Sequence, residues 1–167
     1  MFKLIDTVVK KAFRRCGYDV FCEGESAYRF FKGSAKGSLK IRRVAEGFGE
    51  MTFTYRNSLK DRKTGRAEFI RSRGANVLAE ICGTRFSLRY LEPRSFSVSA
   101  NWPVSLQETG AAEVSAIITR SLSVAESCYT VLNSDFYYQN DASRALLETD
   151  LQRKVGAESP SAKARKP

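Results

Sequence analysis

Histidine is absent from this chain of 167 residues, and its four cysteines, Cys16, Cys22, Cys82 and Cys128, include no C-x-x-C pair. Losing histidine removes the commonest general base and the usual nucleophilic triads. Without histidine or paired cysteines, no ligand set for a zinc site is in view. "GSAKGS" has Lys, Gly and Ser in the wrong order for a phosphate-binding loop, and the scattered carboxylates define no pair. We therefore expect no enzyme, no metal and no cofactor. No apolar run approaches the roughly 20 residues that span a bilayer, so no membrane partner is expected. The opening "MFKLIDTVVKKAFRRCG" lacks the three-part organisation of a signal peptide, which argues against secretion. Two readings of the cysteines stay open: small buried hydrophobes in a reducing compartment, or thiols that later crosslink subunits.

What the chain does have is 43% apolar and 11% aromatic residues, enough for one ordinary domain with its own core. It also has a formal charge of +10, which draws a protein toward polyanions, with RNA or DNA ahead of anionic membrane. Residues 1–17 read as an amphipathic basic helix, with Phe2, Ile5, Val9, Ala12, Phe13 and Cys16 at helical spacing and Gly17 to stop it. Such a helix suits docking on the core, contacting RNA or pairing with another subunit.

From Tyr18 to Trp102 the period changes to two, with strands expected near 18–22, 27–32, 38–44, 50–57, 66–72, 76–82, 85–91 and 94–101. Short turns between them predict an antiparallel meander. A helical stripe follows through Val114, Ile117, Ile118, Ser121, Leu122, Ala125, Tyr129 and Leu132, starting either at a Ser105/Glu108 capping box or nearer Ala111. Residues 139–167 turn polar; "DASRALLETDLQRKV" suits another helix, and "GAESPSAKARKP" a mobile basic tail. The expected class is α+β.

Alternation sorts the strands into two faces. Met51, Phe53, Tyr55, Leu39, Ile41, Phe86, Leu88, Tyr90, Phe96 and Val98 make one side apolar. The other carries Lys40, Arg42, Thr52, Thr54, Arg56, Ser87 and Arg89, with Ser95, Ser97 and Ser99 beside them, and Arg66 starts the returning strand "GRAEFIRSR". Hydroxyls pair with phosphate, ribose or base edges, and arginine adds charge and planar stacking, so this face suits RNA. A solvated polar sheet would carry the same residue types. Arg71 and Arg73 fall on the apolar side by strict alternation, unless a bulge or an early strand end releases them.

"MTFTYRNS", its polar turn and "GRAEFIRSR", followed by "FSVSANWPVSLQETGAAEVSAIITRSLSVAESCYTVLNSDFYY", resemble in order and spacing the coat proteins of the single-stranded RNA bacteriophages, the leviviruses. The likeness spans roughly residues 26–138. It implies an N-terminal hairpin, a meander of about five strands and two C-terminal helices laid across a partner subunit in an intertwined homodimer. Dimers would close an icosahedral capsid around single-stranded RNA, assembled in the cytoplasm of a bacterial host and released as a virion. On this sequence Thr52, Thr54 and Arg56 match the RNA-facing positions of the central strand best. Glu68 and Ile70 occupy the corresponding places on the returning strand and are poor phosphate ligands, which favours general RNA packaging over recognition of one hairpin. The helix at 2–16 and the residues after Tyr138 lie outside the usual compact coat.

Two other readings use the same pattern: a non-capsid dimeric module binding RNA or single-stranded DNA, and a secretion-chaperone-like domain holding an extended protein segment along sheet edges. Assembly around RNA is expected to weaken steeply with salt because phosphate neutralisation releases counterions. Particle yield measured across a salt series checks this, and a flat response contradicts the mechanism.

Overall fold

The first helix ends where its sequence says it should. Tyr18 N–H donates to Phe13 C=O at 3.0 Å and Gly17 N–H to Arg14 C=O at 3.0 Å, closing a left-handed cap with Gly17 at φ +83°. The Phe13 and Tyr18 rings meet edge to face across that cap, 6.5 Å apart, so the chain leaves the helix already aimed into the sheet.

The computed structural model describes residues 2–60, 85–107 and 110–133. Its elements are α1 (Phe2–Arg15), β1 (Asp19–Gly24), β2 (Ala27–Lys32), β3 (Ala35–Ala45), β4 (Phe48–Ser58), β5 (Phe86–Leu91), β6 (Ser95–Ser105) and α2 (Ala111–Leu132). This is an α+β fold with one antiparallel sheet in the order β1-β2-β3-β4-β6-β5. Strands β1 to β4 form the expected meander, opening with the β1–β2 hairpin.

The hairpin expected between 50–57 and 66–72 needs correction. β4 is paired with β3 on one edge and with β6 on the other, from Phe48↔Ser105 through Ser58↔Ser95, leaving no edge for a third strand. β6 wins that place because it matches β4 in length and in phase, and its Phe96, Val98, Ala100 and Val104 are buried as β4's Met51, Phe53 and Tyr55 are. The expected strands near 66–72 and 76–82, Arg66, Glu68, Ile70, Arg71, Arg73, Cys82 and the segment after Asn133 lie outside the described residues.

The two described helices lie on the apolar side of their own chain's sheet, α2 against β4 and β6, and α1 against α2 and β1. Ile5, Val9, Ala12 and Phe13 of α1 join the same core as Val114, Ile118, Leu122 and Ala125 of α2, so residues 1–17 belong to the main body. α2 begins at Ala111, the later of the two expected starts. A column of rings, Phe13 over Phe30 at 4.5 Å and Phe30 over Phe53 at 5.6 Å, ties α1 to the middle of the sheet. Gly37, the partner of Phe30 in the ladder, leaves that ring its space: a Cβ there would stand 2.3 Å from Phe30 Cζ and 2.1 Å from the Thr54 carbonyl oxygen.

The cysteines divide. Cys128 is buried, as a small hydrophobe should be, whereas Cys22 is exposed on β1, where its Sγ donates to Gly24 C=O at 3.0 Å. Burial as the common role of the cysteines therefore fails at Cys22: alternation puts it in phase with buried Val20, but it stands where β1 breaks register at the bulge between Cys22 and Gly24 and is left exposed.

Asn133 joins the end of α2 to the end of β4. Its Oδ1 accepts from Lys60 N–H at 2.5 Å, and its Nδ2 donates to Ser58 C=O at 3.3 Å and Tyr129 C=O at 3.0 Å. Asn133→Ala should destabilise the fold by about 1–3 kcal/mol, because main-chain groups lose their partner; equilibrium urea unfolding checks this, and an unchanged midpoint contradicts the clamp. Burial raises the phenol pKa of Tyr18, reinforced by its 2.7 Å hydrogen bond to Glu126, and burial does the same for Tyr28 and Tyr55. A folded-state pKa above the unfolded value of about 10 contributes stability that is full below that pH and lost as pH rises beyond it. Ultraviolet titration should show these three phenols ionising only as the chain unfolds; their ionisation in the folded protein would contradict it.

Candidate nucleic-acid interface

The polar side of the sheet has no helix over it among the described residues, and the ladder fixes what it presents. Across the strands run three rows. Lys36, Arg56, Ser97 and Arg89 face one another in register; next come Arg29, Ser38, Thr54, Ser99 and Ser87; then Ala27, Lys40, Thr52 and Asn101. Beyond these, Arg42 stands opposite Glu50 and Glu50 opposite Pro103.

All the sequence-selected candidates that are described, Lys40, Arg42, Thr52, Thr54, Arg56, Ser87 and Arg89, thus share one face. Arg66 lies outside the described residues. Arg29, Lys36, Ser38 and Asn101 complete the surface and were not selected from sequence. Reading "KGSAKGS" as a turn hid Lys36, because β3 starts at Ala35 and not at Ser38, where the strand was expected. Counting back in twos from Lys40 would have found Ser38 and Lys36.

Charge on this face is partly neutralised. Glu23 holds Arg29 at 2.6 Å and Glu50 holds Arg42 at 3.4 Å, both at the surface, where such pairs contribute little stability. Lys36, Lys40, Arg56 and Arg89 have no carboxylate within 4.0 Å among the described residues. Four free cations interleaved with Ser and Thr hydroxyls can meet phosphates and ribose oxygens along an extended anionic chain. Ser97, between Arg56 and Arg89 in register, is buried, so the arginines and not this hydroxyl form the outer surface there.

At the β1–β2 end the surface dips into a shallow depression lined by Phe21, Arg29, Phe31, Lys36, Thr54 and Arg56. A second basic surface lies on the opposite side of the molecule, where Lys11, Arg14 and Arg15 of α1 are exposed. Among the described residues no group of His, Cys, Asp and Glu is disposed to hold a metal ion, and no helix is long and apolar enough to cross a membrane.

No family model matches the sequence, and no curated protein matches it significantly. Among solved structures, YbjN from E. coli, a candidate transcription regulator, aligns with a TM-score of 0.36 at 10% identity, covering 71% of this chain and 90% of that one. A likeness of that size carries neither fold nor function across.

Proposed function

We propose that this chain binds single-stranded RNA along the open face of its sheet. The observation that carries the reading is the register, which gathers Lys36, Lys40, Arg56 and Arg89, each without an acidic partner among the described residues, among hydroxyls on a face that no described helix covers. The likeness to phage coats extends the proposal: homodimers would close an icosahedral shell with this face inward, packaging the RNA whose charge offsets the repulsion between subunits. Intertwining is not needed to cover the sheet, since each chain's α1 and α2 already cover their own.

Expression of the chain alone in bacteria, followed by size exclusion with absorbance at 260 and 280 nm and negative-stain microscopy, tests the shell. Uniform RNA-containing particles are expected; a small dimer with bound RNA would leave the binding module and remove the coat. For the interface, Lys40→Ala and Arg56→Ala should each weaken single-stranded RNA binding and lower the magnitude of the log K against log salt slope by about 0.7, the value for one phosphate contact. Replacing Lys11, Arg14 and Arg15 together with Ala should leave the slope nearly unchanged. Loss of binding in the α1 variant but not in the sheet variants would overturn the assignment.

A further inference from the structure

Phe21 and Phe31 stand out on this face because they are large, apolar and exposed yet in contact with each other. They are 56% and 38% exposed; Phe48, 61% exposed, lies apart from them at the start of β4, while Phe13, Phe30, Phe53, Phe86 and Phe96 are nearly inaccessible. Isolated exposed hydrophobes are ordinary. These two are not isolated: their rings stack at 5.3 Å between centroids with 27° between planes. Register explains the meeting. Phe21 lies opposite Arg29 and Phe31 opposite Asp19, so the two aromatics are diagonal neighbours on the open side of β1 and β2. The pair forms one wall of the depression whose other side is Lys36 and Arg56.

We propose that the Phe21–Phe31 pair is a base-stacking platform that makes the open face select unpaired bases over duplex; this rests on the RNA-binding reading above. An aromatic face accepts any base, but only a base free of its own helix can lie on it. Phosphates following such a base would run toward Lys36 and Arg56, which lie beside each other in register on β3 and β4. Arg29 is held by Glu23 at the rim of the same depression, which leaves Lys36 and Arg56 as its cations without a carboxylate partner among the described residues. Charge alone would attract single strands and duplex alike. The rings supply the discrimination.

The test uses the full chain and fluorescence anisotropy with a short labelled oligouridylate, an oligoadenylate and a labelled RNA duplex of the same length. Phe21→Ala should weaken binding of both single strands by about 5- to 150-fold, the range expected for losing one stacked base, with the salt slope and duplex binding unchanged. Phe21→Trp should restore single-strand affinity. Lys36→Ala should do the opposite, lowering the salt slope for single strand and duplex together. Equal loss of single-strand and duplex binding in Phe21→Ala, or no loss, would overturn the platform even where Lys36→Ala still weakens binding and so leaves the RNA reading intact. Absence of RNA binding by the unmodified chain would overturn both. A co-purifying polypeptide released by Phe21→Ala would overturn the platform in favour of a protein-docking surface.

Discussion

Phe30 sits between Phe13 of α1 and Phe53 of β4, and that column decides which side of the sheet is dry. Gly37 is its counterpart, since any side chain there would collide with the ring. Once α1 is fixed over β1 and Phe30 of β2, the cap at Gly17 sends the chain into β1, and α2 fills the remaining width beside α1 against β4 and β6. Every strand must then turn its apolar residues toward the helices, because a one-residue slip would move them all to water. The polar face is the necessary complement of this packing.

That face is consequently cheap for the fold and free to serve a ligand. Its side chains contribute little to stability: exposed ion pairs such as Arg42–Glu50 are nearly neutral in energy, and unpaired lysines and arginines gain nothing from one another's company. Concentrated positive charge on one sheet face repels itself, and the stacked Phe21 and Phe31 rings beside it leave apolar area in water. The proposed single-stranded RNA would offset both costs, its phosphates the charge and its bases the ring surface.

Much of this was legible in the sequence because the signals were local. Gly17 after a basic helix, the alternation through Met51, Phe53 and Tyr55, and the stripe from Val114 to Leu132 each need only neighbouring residues to be read. Alternation also placed Lys40, Thr52, Thr54, Arg56, Ser87 and Arg89 on one side, as the ladder does. The partner of β4 was not legible: a hairpin to the next strand in sequence is the simplest closure, but β6 offers a full-length match from far along the chain. Nor was the Phe21–Phe31 pair, since Phe30 and Phe31 are adjacent and only the register with β3 shows which of them enters the core.

The geometry of the edges bears on whether a polypeptide rather than a nucleic acid is the natural occupant. Strand addition needs a long, regular edge. β1 and β5, at the two ends of the sheet among the described residues, have six residues each, against eleven for β3, β4 and β6, and β1 is interrupted by a bulge between Cys22 and Gly24. Short and bulged edges are how sheets resist pairing with another chain. The longest strands instead lie inside the sheet, where both sets of main-chain groups are already bonded and only side chains face out. A ligand that runs across this molecule must therefore be recognised by side chains, through charge, hydroxyls and ring faces. Those are the groups by which a single nucleic-acid strand is held, whereas an extended peptide depends first on main-chain hydrogen bonds.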